Sequence, residues 1–221
     1  MNLKIRSKLK PITDILLTLL LLFLMSYELL GSTAHEIVGT VMFLLFVIHH
    51  MLNINWLKHL TKGRQTKIRI FQNILVFLVL VSFVGSVASG VVVSRHVFTF
   101  LNIKPTFTAI RIHMLSAYWG FVFMSLHLGF HFNTILIMIK KKKQLPSKLK
   151  AVFKIIIAFL FLYGIYAFFK RDIAGYLFLK NMFFILGDNE HLLIYLFDYM
   201  SIMFSFALLS SAFSNRLRKI K

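Results

Sequence analysis

Six histidines fall on two stretches that are otherwise almost wholly apolar: His35, His49 and His50 on one, His113, His127 and His131 on the other. An ionisable side chain inside a membrane-spanning helix is costly and marks function by default. The interval from His35 to His49 equals that from His113 to His127. At about 100° per residue that interval falls about 40° short of four turns, so each pair shares one helix face with a rise of about 21 Å between its members. The stripe between them repeats. His35, Gly39, Met42, Phe46, His49 and Asn53 correspond to His113, Ala117, Gly120, Met124, His127 and His131, always at the same offset. Imidazoles matched at two depths could grip two flat metal groups, one above the other, with small residues leaving room between the helices. Two bis-histidine haems have that arrangement.

The offset also ranks the neighbours. His50 corresponds to Leu128 and His131 to Asn53, whereas 35 with 113 and 49 with 127 are histidine in both copies. His35 with His113 and His49 with His127 are therefore the expected iron ligands. His131 competes for the inner position, since it lies five full turns on from His113. His50 is turned about 60° from His35 and suits a haem propionate or a bound quinone. Arg95 and Arg111, near the outer histidines, would serve as cations for propionates. Two saturating imidazoles leave iron no open position, so no catalytic residue is expected and the groups relay electrons.

The chain has no cysteine, which excludes disulfides, thiolate iron-sulfur clusters and haem attached through a C-x-x-C-H motif. A membrane di-iron oxygenase is a rival, because "HH" at 49 and "HLGFH" at 127 look like histidine boxes, yet such a centre leaves the outer pair unexplained. The other alternative is a non-redox transporter or assembly factor whose histidines are satisfied by ordinary partners.

The elements that must position these residues are membrane helices. Of the 221 residues 58% are hydrophobic and 15% charged, with 25 Phe, and several apolar runs reach the ~18 residues a bilayer crossing needs. Spans are predicted at 11–30, 34–57, 70–93, 107–139, 151–169 and 191–213, an all-α integral membrane protein with a four-helix haem-binding core over 1–145 and a C-terminal hairpin over 146–221. The basic start followed by "GSTA" resembles a signal peptide ending at Ala34 but is read as a retained span. Net charge is +19, and 20 of the 26 Lys and Arg fall on one side of this topology: the N-terminal tail, the connections near Lys58–Arg69 and Lys140–Lys154, and the C-terminal tail. The positive-inside rule then makes both termini cytoplasmic, and nucleic acid is not needed to explain the charge, though anionic lipid is a natural neighbour.

Several residues outside the stripes stand out. Glu28 and Glu36 lie at the outer edge and could relay protons or bind a partner. Asn53, Asn55, Trp56 and Lys58 flank the inner histidines. Asp198 lies inside the sixth span, a functional candidate or an ion-paired structural residue. "IAGYLFLKNMFFILG" between spans five and six reads as an outer interfacial or re-entrant piece.

"HEIVGTVMFLLFVIHHMLNINWLK", "SGVVVSRHVF" and "RIHMLSAYWGFVFMSLHLGFHF" together resemble the flavinylation-associated cytochrome family, small bacterial membrane proteins related to ferric-reductase-like b-type cytochromes. The likeness covers the chain from its start to the neighbourhood of Lys140. It implies two non-covalent b haems in a four-helix core of a bacterial cytoplasmic-membrane protein. It also implies ligands at His35, His49, His113 and His127, and electron transfer toward an extracytosolic flavin-bearing protein. The expected activity is thus the electron-transfer part of a membrane oxidoreductase, fed by the quinone pool or a cytosolic donor.

Overall fold

The computed structural model describes residues 3–60, 62–142, 146–181 and 190–219. Every regular element among them is helical. They are α1 (Leu3–Leu24), α2 (Tyr27–Leu52), α3 (Ile54–Lys58), α4 (Lys67–Val93), a 3-10 turn (Thr99–Leu101), α5 (Phe107–Lys142), α6 (Ser147–Lys170), α7 (Ile173–Leu177) and α8 (Leu192–Lys219). Five of them, α2, α4, α5, α6 and α8, are long and apolar enough to cross a membrane. The chain is an all-α, multi-pass membrane protein in that sense. Large side chains such as Ile15, Met51, Phe77, Ile155 and Leu162 are exposed along α1, α2, α4 and α6, a surface that belongs in lipid rather than water.

The helix ends follow local chemistry. Thr66 caps α4 by accepting from the Arg69 N–H at 3.4 Å, and Asp172 caps α7 by accepting from the Gly175 N–H at 3.2 Å. Pro146 stands immediately before α6, where its fixed φ costs nothing. The predicted first connection near residues 31–33 is instead two breaks. The chain turns at Met25 and Ser26, then again at Gly31, whose φ of 77° and ψ of 167° suit only glycine. The first helix correspondingly begins at Leu3, not 11, and takes the basic tail into its first turns.

The Arg6 guanidinium consequently reaches the carbonyl of Leu52, with Nε at 2.9 Å and Nη2 at 2.7 Å, neutralising the C-terminal end of α2. With Gly39 against Leu24 and His49 bonded to Asp14, this contact sets α1 antiparallel to α2.

α5 is the central helix, packed antiparallel on α4 and closely along α8, while α6 and α8 form a hairpin. The core crosses the division at 145/146: Phe121 and Tyr118 of α5, Ala167 of α6, Ile173 of α7, and Tyr199 and Ile202 of α8 are all buried in one cluster. The piece expected at the interface is buried over its first part, α7, with the Trp119 indole donating to the Leu177 carbonyl at 3.0 Å; residues 182–189 lie outside the described residues. α2 packs along α1 and only sparingly on α4.

Glycine permits the closest approach of α5 and α8. A Cβ at Gly129 would overlap the Ala207 carbonyl, whereas one at Gly39 would meet only Leu24 Cδ2 at 3.8 Å. Gly129→Ala is therefore expected to destabilise by about 1–3 kcal/mol, and Gly39→Ala by far less. Thermal unfolding midpoints in detergent should separate the two variants.

Candidate functional site

The outer pair is built where α2 starts and α5 has completed its first turns. The rings of His35 and His113 lie opposite each other at 6.0 Å between centroids, with an interplanar angle of 76°. A metal–imidazole bond is ~2 Å long, so two axial rings on one ion have centroids about 6 Å apart. His113 Nδ1 donates to the Ser86 carbonyl at 2.9 Å, with Ser89 Oγ at 3.4 Å, which leaves Nε2 with its lone pair. A Cβ at Gly90 would crowd the same ring, at 3.2 Å from Cε1. His35 Nδ1 is buried and meets no partner in hydrogen-bond geometry; the Leu24 carbonyl is its polar neighbour, and Tyr27 stands edge-on to the ring at 5.1 Å.

Glu36 turns out to be a fastener. Its carboxylate accepts from Ser94 Oγ (2.7 Å) and from the backbone N–H groups of Arg95 (2.7 Å), His96 (3.0 Å) and Val97 (2.8 Å). Four donors from the end of α4 thus hold the residue next to His35, and Ser32 Oγ adds a 2.9 Å contact to His96 Nε2. Glu36→Gln replaces one acceptor oxygen by a donor and removes the charge. It is expected to cost about 1.5–3 kcal/mol. Amide exchange at residues 94–97 should accelerate by tenfold or more.

The inner end gathers more groups. His49 Nδ1 donates to Asp14 Oδ1 at 2.8 Å, and Asn53 Nδ2 lies 3.4 Å from His49 Nε2. His127, whose Nδ1 is buried without a partner, stands 5.0 Å from His131 ring to ring. Asp14 and His49 are in electrostatic reach of both His127 and His131. No ring contact joins His49 to His127 among the described residues. His50 donates from Nδ1 to the Phe46 carbonyl at 2.9 Å and lines an apolar cavity of ≈ 420 Å³ with Phe43, Phe46, Met51, Phe83 and Val87.

Arg95 and Arg111 are both exposed. The stripes are arranged differently from expectation. The small residues of the two stripes do not face one another: Gly39 serves the approach of α1 and Gly120 that of α4, where Ser82 Cβ would meet its Cβ at 3.4 Å. Phe46 stacks on Phe83 at 3.7 Å. α2 packs chiefly along α1.

Spacing alone gives no sign of Asp14, Ser86 or the true use of Glu36. For the two carboxylates the available signal is scarcity, since only seven acidic residues occur in the chain and both of these interrupt apolar runs.

Asp198 is fully buried and accepts from Tyr163 OH (2.5 Å), Lys170 Nζ (2.8 Å) and Arg171 Nε (2.8 Å), with Arg171 Nη2 in ion-pair contact at 2.6 Å, while Arg171 also pairs with Glu190 at 2.5 Å. It is ion-paired by α6 and its end, one of the two readings its position allowed.

Among the described residues no group of three or more His, Cys, Asp or Glu is placed to hold a single metal ion; a bis-histidine haem asks only for two facing imidazoles. No protein-family model matches the chain, and no curated protein or solved structure matches it either.

Proposed function

We propose that the protein is a six-span, di-haem b-type cytochrome that carries electrons across a bacterial cytoplasmic membrane. The observation that carries the reading is the outer pair: two imidazoles from different helices with ring centroids 6.0 Å apart, His113 having its tautomer set by the Ser86 carbonyl so that Nε2 keeps its lone pair. Imidazoles from two different helices, brought together in an apolar setting, are costly unless they hold something between them. A haem held there by His35 and His113 would supply one-electron redox chemistry.

The chain's own residues do the rest. The Ser86 carbonyl orients His113, Glu36 pins the start of α2 to the loop after α4, and Asp14 orients His49 at the other end. α2 and α5 run in one direction, so His49 and His127 lie about 21 Å deeper than the outer pair, a large part of a roughly 30 Å hydrocarbon core. With α1 counted as the sixth span, the basic tails and connections fall on one side, which argues for both termini in the cytoplasm. A quinol fits the donor role, since the cavity beside His50 is apolar with a single imidazole. An extracytosolic, flavin-bearing protein fits the acceptor role, reached over the exposed Arg95 and Arg111.

The test is direct. Protein purified from haem-replete cells should show sharp reduced-state b-type absorption, and extraction should yield about two haems per chain. A colourless preparation that takes up no haem ends the proposal.

A further inference from the structure

We infer that Asp14 is a positioning residue that makes the inner site the more reducing of the two, so that electrons run downhill from the cytoplasmic to the outer end. The inference rests on the di-haem reading above. It starts from a carboxylate in an unusual place: Asp14 is followed in α1 by Ile15, Leu16 and Leu17, a setting in which an isolated charge is expensive. The hydrogen bond to His49 Nδ1 gives that charge its partner. Leu24 against Gly39 and Arg6 on the Leu52 carbonyl bracket the contact from both sides, so the antiparallel packing of α1 and α2 delivers Asp14 to His49.

A carboxylate only accepts, so His49 Nδ1 carries the proton and Nε2 the lone pair. Asn53 Nδ2, a donor, lies 3.4 Å from that same Nε2, which agrees with the assignment. His50, the competing neighbour, donates its Nδ1 to the Phe46 carbonyl of its own helix and so has no carboxylate partner. The two ends thus differ in kind. At the outer end His113 donates to a neutral backbone carbonyl and the Glu36 carboxylate beside His35 is taken up by residues 94–97, whereas at the inner end the anion accepts from the imidazole itself. A carboxylate partner raises the basicity of a ligating imidazole and adds a negative charge beside it, both of which favour the oxidised state of a bound metal. The inner site consequently has the lower potential.

The experiment uses the full chain in lipid nanodiscs, with haem content and potentiometric titration of wild type, Asp14→Asn and Asp14→Glu. Expected in Asp14→Asn are two haems retained and a rise of the lower midpoint by about a tenfold change in the reduction equilibrium, about 59 mV for one electron. The higher midpoint should stay, and Asp14→Glu should return most of the shift. Unchanged midpoints, or a rise confined to the higher one, overturn the inference while leaving the di-haem reading intact. Should Asp14→Asn lose one haem, recovery of that haem in Asp14→Glu supports the role of the carboxylate, and continued loss overturns it. Wild-type protein that holds no haem removes the reading and this inference together. In haem-free protein the ¹⁵N shifts of His49 should report protonated Nδ1, lost in Asp14→Asn; protonated Nε2 in wild type overturns the assignment.

Discussion

Replacing His113 with alanine is expected to halve the haem content, from about two per chain to one, and to abolish electron transfer across the membrane. The ring is held by the Ser86 carbonyl and sits against Gly90, and the imidazole opposite is His35. No substitute from either stripe is at hand on this side. His96, in the loop, is engaged by Ser32, and the remaining histidines of both stripes lie about 20 Å or more further along their helices. His35→Ala should remove the same haem, because one axial ligand does not hold what two were placed to hold. The double variant should then lose no more than either single one, since the two side chains act as a unit and their effects do not add. Haem extraction with redox difference spectra checks all three. Loss of different haems in the two single variants would separate 35 from 113 and undo the pairing.

How much of this is legible in the sequence depends on what hydropathy can and cannot report. Apolar runs mark every long helix except the start of α1, whose basic residues mask about two helical turns. The repeated stripe picks out His35 and His113, which the fold does bring together. Which face of a span packs is another matter. Lipid-facing and protein-facing side chains are equally apolar, so nothing in the pattern tells Gly39 from Gly120, and each serves a different neighbour. For the same reason the packing of α8 along α5 is invisible, and the chain reads as a core plus a hairpin. Partners of charged groups are hidden more deeply. Asp14 meets His49 and Glu36 meets residues 94–97 only because helices distant in sequence pack side by side, and the single-chain pattern carries no trace of such meetings.

Removing the carboxylate of Asp198 is expected to be the most damaging change away from the histidines. Asp198→Ala leaves Lys170 without its anion and Arg171 with Glu190 alone, in a place where the carboxylate itself is wholly buried. Breaking a fully buried pair by deleting one partner costs about 3–5 kcal/mol, and the cost here falls toward the lower end because the Lys170 side chain is 32% exposed and Arg171 keeps Glu190. The damage should spread along the ring contacts that begin there. Arg171 lies 4.3 Å over Tyr195, which stacks on Tyr199, and Tyr199 meets Phe121 of α5 edge-on. Asp198→Asn should be milder, since an amide keeps the shape and one acceptor oxygen. The decisive comparison is with Lys170→Met combined with Asp198→Ala. If the penalty is an uncompensated cation, deleting Lys170 should recover part of the lost unfolding midpoint in detergent. If it is lost packing, the double variant should melt no higher than Asp198→Ala alone.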